Sequence, residues 1–294
     1  MLGGNRGSQG GDFPTRSLAR RGLGVFLAAF MVLLSTAARA ETPSFAQTQL
    51  VPAYFSPELG PDGRTVGLWA EMCEAMKTPS IAIMNPSSGP GEGVQAAYVE
   101  ALRYCHDSGN EVVGYVDTAY GRRSLDAVKA DIRNYYRWYV IDGIFLDQMS
   151  IEPDEPASDG RDMRSYYREL YAFIKEFASP GKVVGNPGDA FSDDWQLSEP
   201  VADILVVFEG YAEVYAGWSP PEWVYRYPSA RFSHLVHTAP PERRHDLCVL
   251  SQQRNGGRIF ITDEVMAGLE DAPLSENPWD HLPSYWSLIA PRCA

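Results

Sequence analysis

From residue 50 onward the chain alternates between short runs that are almost wholly apolar and longer stretches in which apolar and polar residues are interleaved. The short runs lie at 50–55, 80–85, 111–117, 143–147, 182–186, 204–209, 232–237 and 258–262. Continuous apolar runs of this length, rich in β-branched and aromatic residues, are expected of parallel strands buried on both faces. The stretches at 93–107, 124–138 and 165–177 read as helices, and in the second Ala127, Ile132, Tyr135 and Tyr136 roughly follow a helical period. Strand and helix alternating eight times within about 250 residues predicts a single-domain α/β fold, the (β/α)8 TIM barrel. A doubly wound open sheet is the competing arrangement, but no GxGxxG follows the first strand.

A barrel of this kind carries its chemistry at the carboxyl ends of its strands. Those ends read Tyr54, Asn85, Tyr115 with Asp117, Asp147 with Gln148, Asn186, Glu209, His237, and Asp263 with Glu264. The opposite ends are mostly glycine, charged or plain polar residues. Asp147 and Glu209 each close a run of apolar residues, on strands four and six. Two acids aimed into one cleft are what glycosidic hydrolysis requires, one to protonate the leaving oxygen and one to attack or to activate water. Strand alternation places Phe145 with Asp147 on one face and Ile144, Leu146 and Gln148 on the other; Leu205, Val207 and Glu209 share a face by the same rule. Either acid alone could equally cap a helix or pair with an arginine. Asn85 and Asn186 each open an Asn-Pro turn that leaves an amide at the lip for a ligand hydroxyl. Tyr211, Tyr215, Trp218, Trp223, Tyr225 and Tyr227 crowd the loop after strand six, where one or two should stack on a sugar ring and the others seal the rim.

Other chemistries fit poorly. Lys77, Lys129, Lys175 and Lys182 are the only lysines and none ends a strand, so Schiff-base and pyridoxal chemistry are disfavoured. No serine sits in a nucleophile-elbow sequence. The five histidines contain no HExxH and the cysteine spacings match no zinc pattern, so neither metal nor cofactor is expected.

The first 40 residues read as a secretory leader. Arg16, Arg20 and Arg21 precede an apolar core, and Ala38-Arg39-Ala40 supplies the small-x-small cleavage pattern. The residues after Arg20-Arg21 fit the twin-arginine motif poorly, which favours general secretion. The apolar core is short for a spanning helix, leaving a retained anchor as the alternative. The chain carries 25 Lys+Arg and 38 Asp+Glu; without the leader's five arginines and one aspartate the net charge is −17. Such a surface repels nucleic acid and anionic lipid. A secreted or periplasmic monomer acting on polysaccharide is expected, with no stable membrane insertion once the leader is removed. Cys73, Cys105, Cys248 and Cys293 form an even set in an exported chain and allow three pairings. Two fall in the first half and two near the end, which favours Cys73–Cys105 and Cys248–Cys293.

Val51-Pro-Ala-Tyr-Phe55, Ile83-Met-Asn-Pro-Ser-Ser-Gly-Pro-Gly91, Gly114-Tyr-Val-Asp-Thr-Ala-Tyr-Gly121, Gly143-Ile-Phe-Leu-Asp147, Asn186-Pro-Gly188 and Phe208-Glu209 together resemble the spherulation-specific family 4 (spherulin 4-like) proteins. Ile261-Thr-Asp263 and the segment from Asn277 to Trp286 fit as well. The resemblance covers nearly all of residues 41–294. It implies a secreted (β/α)8 glycoside hydrolase that cuts galactosamine-containing exopolysaccharide of biofilms and cell walls. Asp147 would act as nucleophile or ion stabiliser and Glu209 as general acid/base, with Tyr54, Asn85, Tyr115, Gln148, Asn186 and Tyr211 around the sugar. The family pattern at strand four is Asp-Glu, whereas this chain has Asp147-Gln148. A carbohydrate-binding barrel without turnover is the alternative from another functional class.

Overall fold

A computed structural model describes residues 47–76, 79–177, 181–188, 193–266 and 277–289. The leader expected over 1–40 lies outside the described residues. Eight strands form the core: β1 (Thr48–Ala53), β2 (Ile81–Met84), β3 (Glu111–Asp117), β4 (Gly143–Asp147), β5 (Lys182–Gly185), β6 (Ile204–Tyr211), β7 (Phe232–His237) and β8 (Arg258–Ile261). Every neighbouring pair is parallel, and β1 pairs with both β2 and β8, which closes the barrel. The alternating pattern of the sequence is therefore that of a (β/α)8 TIM barrel, with no open sheet edge in it. A two-stranded antiparallel hairpin, Glu58–Leu59 with Thr65–Val66, is inserted after β1.

The outer layer contains α1 (Gly67–Ala75), α2 (Ala96–Asp107), α3 (Leu125–Trp138), α4 (Met163–Phe177), the short α5 (Trp195–Ser198), α6 (Ala212–Gly217), α7 (Arg244–Gln253) and α8 (Trp286–Ile289). Helix α3 shows why the sequence folds this way. The Ser124 side chain accepts from the Ala127 N–H and caps its start, and Leu125, Val128, Ile132 and Tyr135 form one buried stripe. Gly114 lets that stripe approach β3, since a Cβ there would lie 2.6 Å from the Tyr135 ring. Gly143 opens β4 for a similar reason, because its Cβ would meet the Lys182 carbonyl oxygen at 2.1 Å.

Cys73 on α1 and Cys105 on α2 are joined by a disulfide, with Cα atoms 4.9 Å apart. The bridge staples neighbouring helices of the outer ring, as the chain order favoured. Cys248 is also disulfide-bonded, while Cys293, the partner expected for it, lies outside the described residues. Among the described residues no helix is long and apolar enough to cross a membrane.

Candidate functional site

A cavity of about 810 Å³ opens at the carboxyl ends of the strands, and Asp147, Gln148, Asn186, Glu209, Tyr211, Trp218 and His237 all line it. Asp147 arrives by simple alternation. Glu209 does not. Leu205 and Val207 pack outward against Leu197, Ala202, Trp223 and Val224, in the segments around the barrel. Continued alternation would send Glu209 the same way. The β6–β7 register instead skips a residue, pairing Val206 with Ser233 and Phe208 with His234. That bulge inserts one residue and flips the phase, so Glu209 faces Asp147. The expected common face of Leu205, Val207 and Glu209 is thus corrected. A bulge leaves no simple mark in the apolar pattern.

Gln148 corrects a second alternation argument. Strict alternation puts Gln148 on the face of Ile144 and Leu146, whereas its place among the sugar-binding residues needs it at the cleft; β4 ends at Asp147 and Gln148 adopts φ +49°. A left-handed backbone is uncommon outside glycine. Here the Gln148 carbonyl oxygen accepts from the Tyr120 N–H at 2.7 Å and from Thr118 Oγ1 at 2.7 Å, which holds the turn. Gln148 borders the cavity.

Asn186 joins the two acids. Its Nδ2 donates to Asp147 Oδ1 at 2.7 Å and to Glu209 Oε2 at 2.7 Å. Those two oxygens can be no farther apart than twice that distance. The amide is fixed from its other end, where Oδ1 accepts from the Gly188 N–H at 3.0 Å. Both N–H bonds of this asparagine are thus directed at carboxylates, although the sequence suggested a sugar hydroxyl for it. Tyr115 reaches the site through Asp147, donating its hydroxyl to Oδ2 at 2.7 Å. Tyr54 stands edge-on to Tyr115 with ring centroids 5.5 Å apart. Asn85 does not border the cavity, and its Oδ1 accepts from the Gly89 N–H within its own turn. Of the aromatic loop, Tyr211 and Trp218 line the cavity, whereas Tyr215 and Trp223 are buried in the wall.

Electrostatics separate the two acids. Burial and the neighbouring Asp147 charge push the Glu209 carboxyl up to about 7, against the pull of hydrogen bonds from Asn186 and Trp279. Asp147 is also raised by burial, but Tyr115, the Gln148 N–H and Asn186 all stabilise its charged form. Asp147 has three donors and Glu209 two, so Asp147 ionises first and Glu209 retains the proton near neutrality. Burial first, and then the Asp147 charge, push the Tyr115 hydroxyl well above its ordinary range, which keeps it a donor. Trp279 was not singled out from sequence. It lies in the late Asn277-to-Trp286 segment, and its backbone carbonyl receives the Tyr54 N–H at 3.0 Å. Asp263, a strand-end acid, instead accepts from Ser284, through the backbone N–H and the hydroxyl. Among the described residues no group of three or more His, Cys, Asp or Glu is gathered as a metal would require.

This geometry can be set beside known proteins. Spherulin-4 of Physarum polycephalum is 33% identical over 177 residues, a match that covers 58% of this chain and 48% of that protein. The chain thus spans about half the length of this relative. Aspergillus clavatus Sph3, solved in complex with GalNAc, superposes with a TM-score of 0.65 at 23% identity, covering 83% of this chain and 96% of the other. That likeness shows a shared barrel fold. The model of the spherulation-specific family 4 matches residues 48–291, nearly the whole barrel, and the chain belongs to that family.

Proposed function

We propose that the protein is a secreted endo-acting glycoside hydrolase of galactosamine- or N-acetylgalactosamine-containing polysaccharide. One observation carries this reading: a single amide nitrogen, Asn186 Nδ2, is 2.7 Å from a carboxylate oxygen of Asp147 and 2.7 Å from one of Glu209. Two carboxyls so close, one ionised and one holding a proton near pH 7, can act on opposite sides of a glycosidic bond. In the proposed mechanism Glu209 protonates the leaving oxygen as the bond breaks. Asp147 attacks the anomeric carbon, and Glu209 then deprotonates the water that releases the sugar. A separation of about 5–5.5 Å is typical of retaining enzymes, and the bound set by Asn186 agrees with it. Tyr115 would hold Asp147 in orientation for attack.

The substrate class rests on family membership and on the sugar present in Sph3, with an aromatic-lined cavity large enough for a pyranose unit as support. Export is supported by the Cys73–Cys105 bridge, which belongs to an oxidising compartment. Release of reducing ends from a galactosamine-rich polymer tests the proposal. Wild type should release them and Asp147→Asn should not. A wild type that binds the polymer and releases nothing would make this a carbohydrate-binding barrel instead.

A further inference from the structure

Strand β7 carries two buried histidines in contrasting settings. The His234 ring is enclosed in the barrel wall, with Nδ1 at 2.7 Å from the Tyr215 hydroxyl and 3.1 Å from Ser251 Oγ. His237, at the strand's carboxyl end, is only 1% exposed and yet borders the cavity. The register pairs Glu209 with Leu235 and Tyr211 with His237. His237 and Tyr211 therefore form the layer immediately above Glu209, toward the mouth. The His237 ring lies edge-on to Tyr211 at 4.4 Å and to Trp279 at 5.8 Å, and Trp279 hydrogen-bonds Glu209.

The next residue holds that ring in place at a conformational cost. Thr238 has φ +55°, a left-handed backbone that a β-branched residue rarely adopts. Its Oγ1 lies 2.9 Å from His237 Nδ1. Three further bonds keep the turn in place. The Thr238 N–H donates to the Glu264 carbonyl at 2.9 Å, the Ala239 N–H to the Thr262 carbonyl at 2.9 Å, and the Tyr285 hydroxyl to the Ala239 carbonyl at 2.8 Å. Strain fixed from all sides in this way concentrates at functional sites. With Nδ1 engaged by Thr238, Nε2 is the ring nitrogen left to meet a ligand. Burial holds the ring neutral, down to about 4, so it offers one uncharged donor or acceptor near neutral pH.

We propose that His237 is a substrate-contacting specificity residue whose Nε2 hydrogen-bonds an uncharged hydroxyl or acetamido group of the pyranose seated against Glu209. The ring edges of Tyr211 and Trp279 fix its plane, and Thr238 fixes which nitrogen faces the sugar. The inference rests on the glycosidase reading for the reaction, but sugar binding tests it without turnover.

Binding of a short N-acetylgalactosamine oligomer is measured by calorimetry on wild type, His237→Phe, His237→Gln and Thr238→Val. The phenylalanine keeps an aromatic ring between Tyr211 and Trp279 and removes both nitrogens. It should weaken the oligomer about tenfold, as loss of a buried hydrogen bond to a ligand does. The glutamine, which keeps a donor and an acceptor, should bind within about threefold of wild type, and Thr238→Val should lose about threefold. His237→Phe that folds and binds like wild type overturns the assignment, as does a wild type that binds no oligomer. If His237→Phe fails to fold, His237→Gln and Thr238→Val decide instead, and wild-type affinity in Thr238→Val overturns it. Oligomer binding that depends on His237, without hydrolysis by wild type, supports the contact and defeats the glycosidase reading.

Discussion

Strands β4 and β6 each have an acid just before the start and another at or near the carboxyl end, and the two ends behave in opposite ways. Asp142 and Asp203 precede these strands, and each is compensated there. Asp142 bonds His106 Nε2 at 2.9 Å and accepts the Val112 N–H at 2.7 Å. Burial alone would raise the Asp142 carboxyl, but those two bonds outweigh it and hold it below its ordinary value. Asp203 pairs with Lys175 Nζ at 2.6 Å and accepts from the Tyr171 hydroxyl at 2.9 Å and the Val183 N–H at 2.8 Å. At the far ends, Asp147 and Glu209 are buried together, and among the described residues their donors are neutral. An acid paired to a base or a cation fastens a strand. Two acids paired to each other through an amide store an unmet charge, which is what acid–base chemistry uses.

The comparison breaks if the two sets of acids respond alike to substitution. Asp147→Asn or Glu209→Gln should cut kcat/KM on the polymer by about a thousandfold or more. Asp142→Asn and Asp203→Asn should leave kcat/KM within about threefold and instead lower unfolding stability by about 1–3 kcal/mol, measured by urea denaturation. Similar activity losses at both ends would erase the distinction.

The outer ring gives a control far from both ends. Replacing Cys73 and Cys105 by alanine removes a bridge that spans 32 residues. The chain-entropy model puts the loss at about 3–4 kcal/mol. Polymer cleavage at low temperature should be unchanged, since neither cysteine borders the cavity. An activity loss equal to the stability loss would tie the staple to the site.

The pH dependence of stability sharpens the contrast. The folded-state value of Glu209 is about 7, above its ordinary 4.5. The stability from this raised acid is complete below about 4.5 and is lost as pH rises through 7, amounting to roughly 3 kcal/mol. His234 and His237, held neutral by burial, work the other way and withdraw stability as pH falls below their unfolded value. The quantity to read is therefore the difference between wild type and Glu209→Gln. Denaturant titrations from pH 4.5 to 8 should show the variant gaining on wild type as pH rises, and a constant difference would contradict the assignment.

A smaller effect belongs to Gln148. It borders the cavity beside Asp147, so Gln148→Glu adds a negative charge near the bound sugar. Preference should shift about three- to fivefold toward de-N-acetylated, cationic polymer, and the shift should shrink as salt rises. Cleavage assays on both polymer forms at two salt concentrations check this.

Much of the architecture was legible because burial on both faces writes a parallel strand as a continuous apolar run. The bounds of β3, β4 and β7 coincide with the runs at 111–117, 143–147 and 232–237. The strand-end rule likewise pointed to Asp147 and Glu209, which the cavity brings together. What failed was alternation at positions where the backbone departs from a regular strand. The bulge between Val206 and Phe208 and the left-handed turn at Gln148 each re-aim a side chain, and period-two reasoning misses both. Trp279 was missed for another reason, since it reaches the site from a segment after the last strand. Asn85 and Asn186 looked alike in sequence. Their surroundings differ, a tight turn for one and two carboxylates for the other.

The coupling of Asp147 and Glu209 can be read directly by carboxyl ¹³C NMR titration of Glu209 in wild type and in Asp147→Asn. The account predicts that Glu209 titrates near 7 in wild type, and lower once the Asp147 charge is gone. A Glu209 that titrates near its ordinary 4.5 in wild type, or that is unmoved by Asp147→Asn, would contradict it.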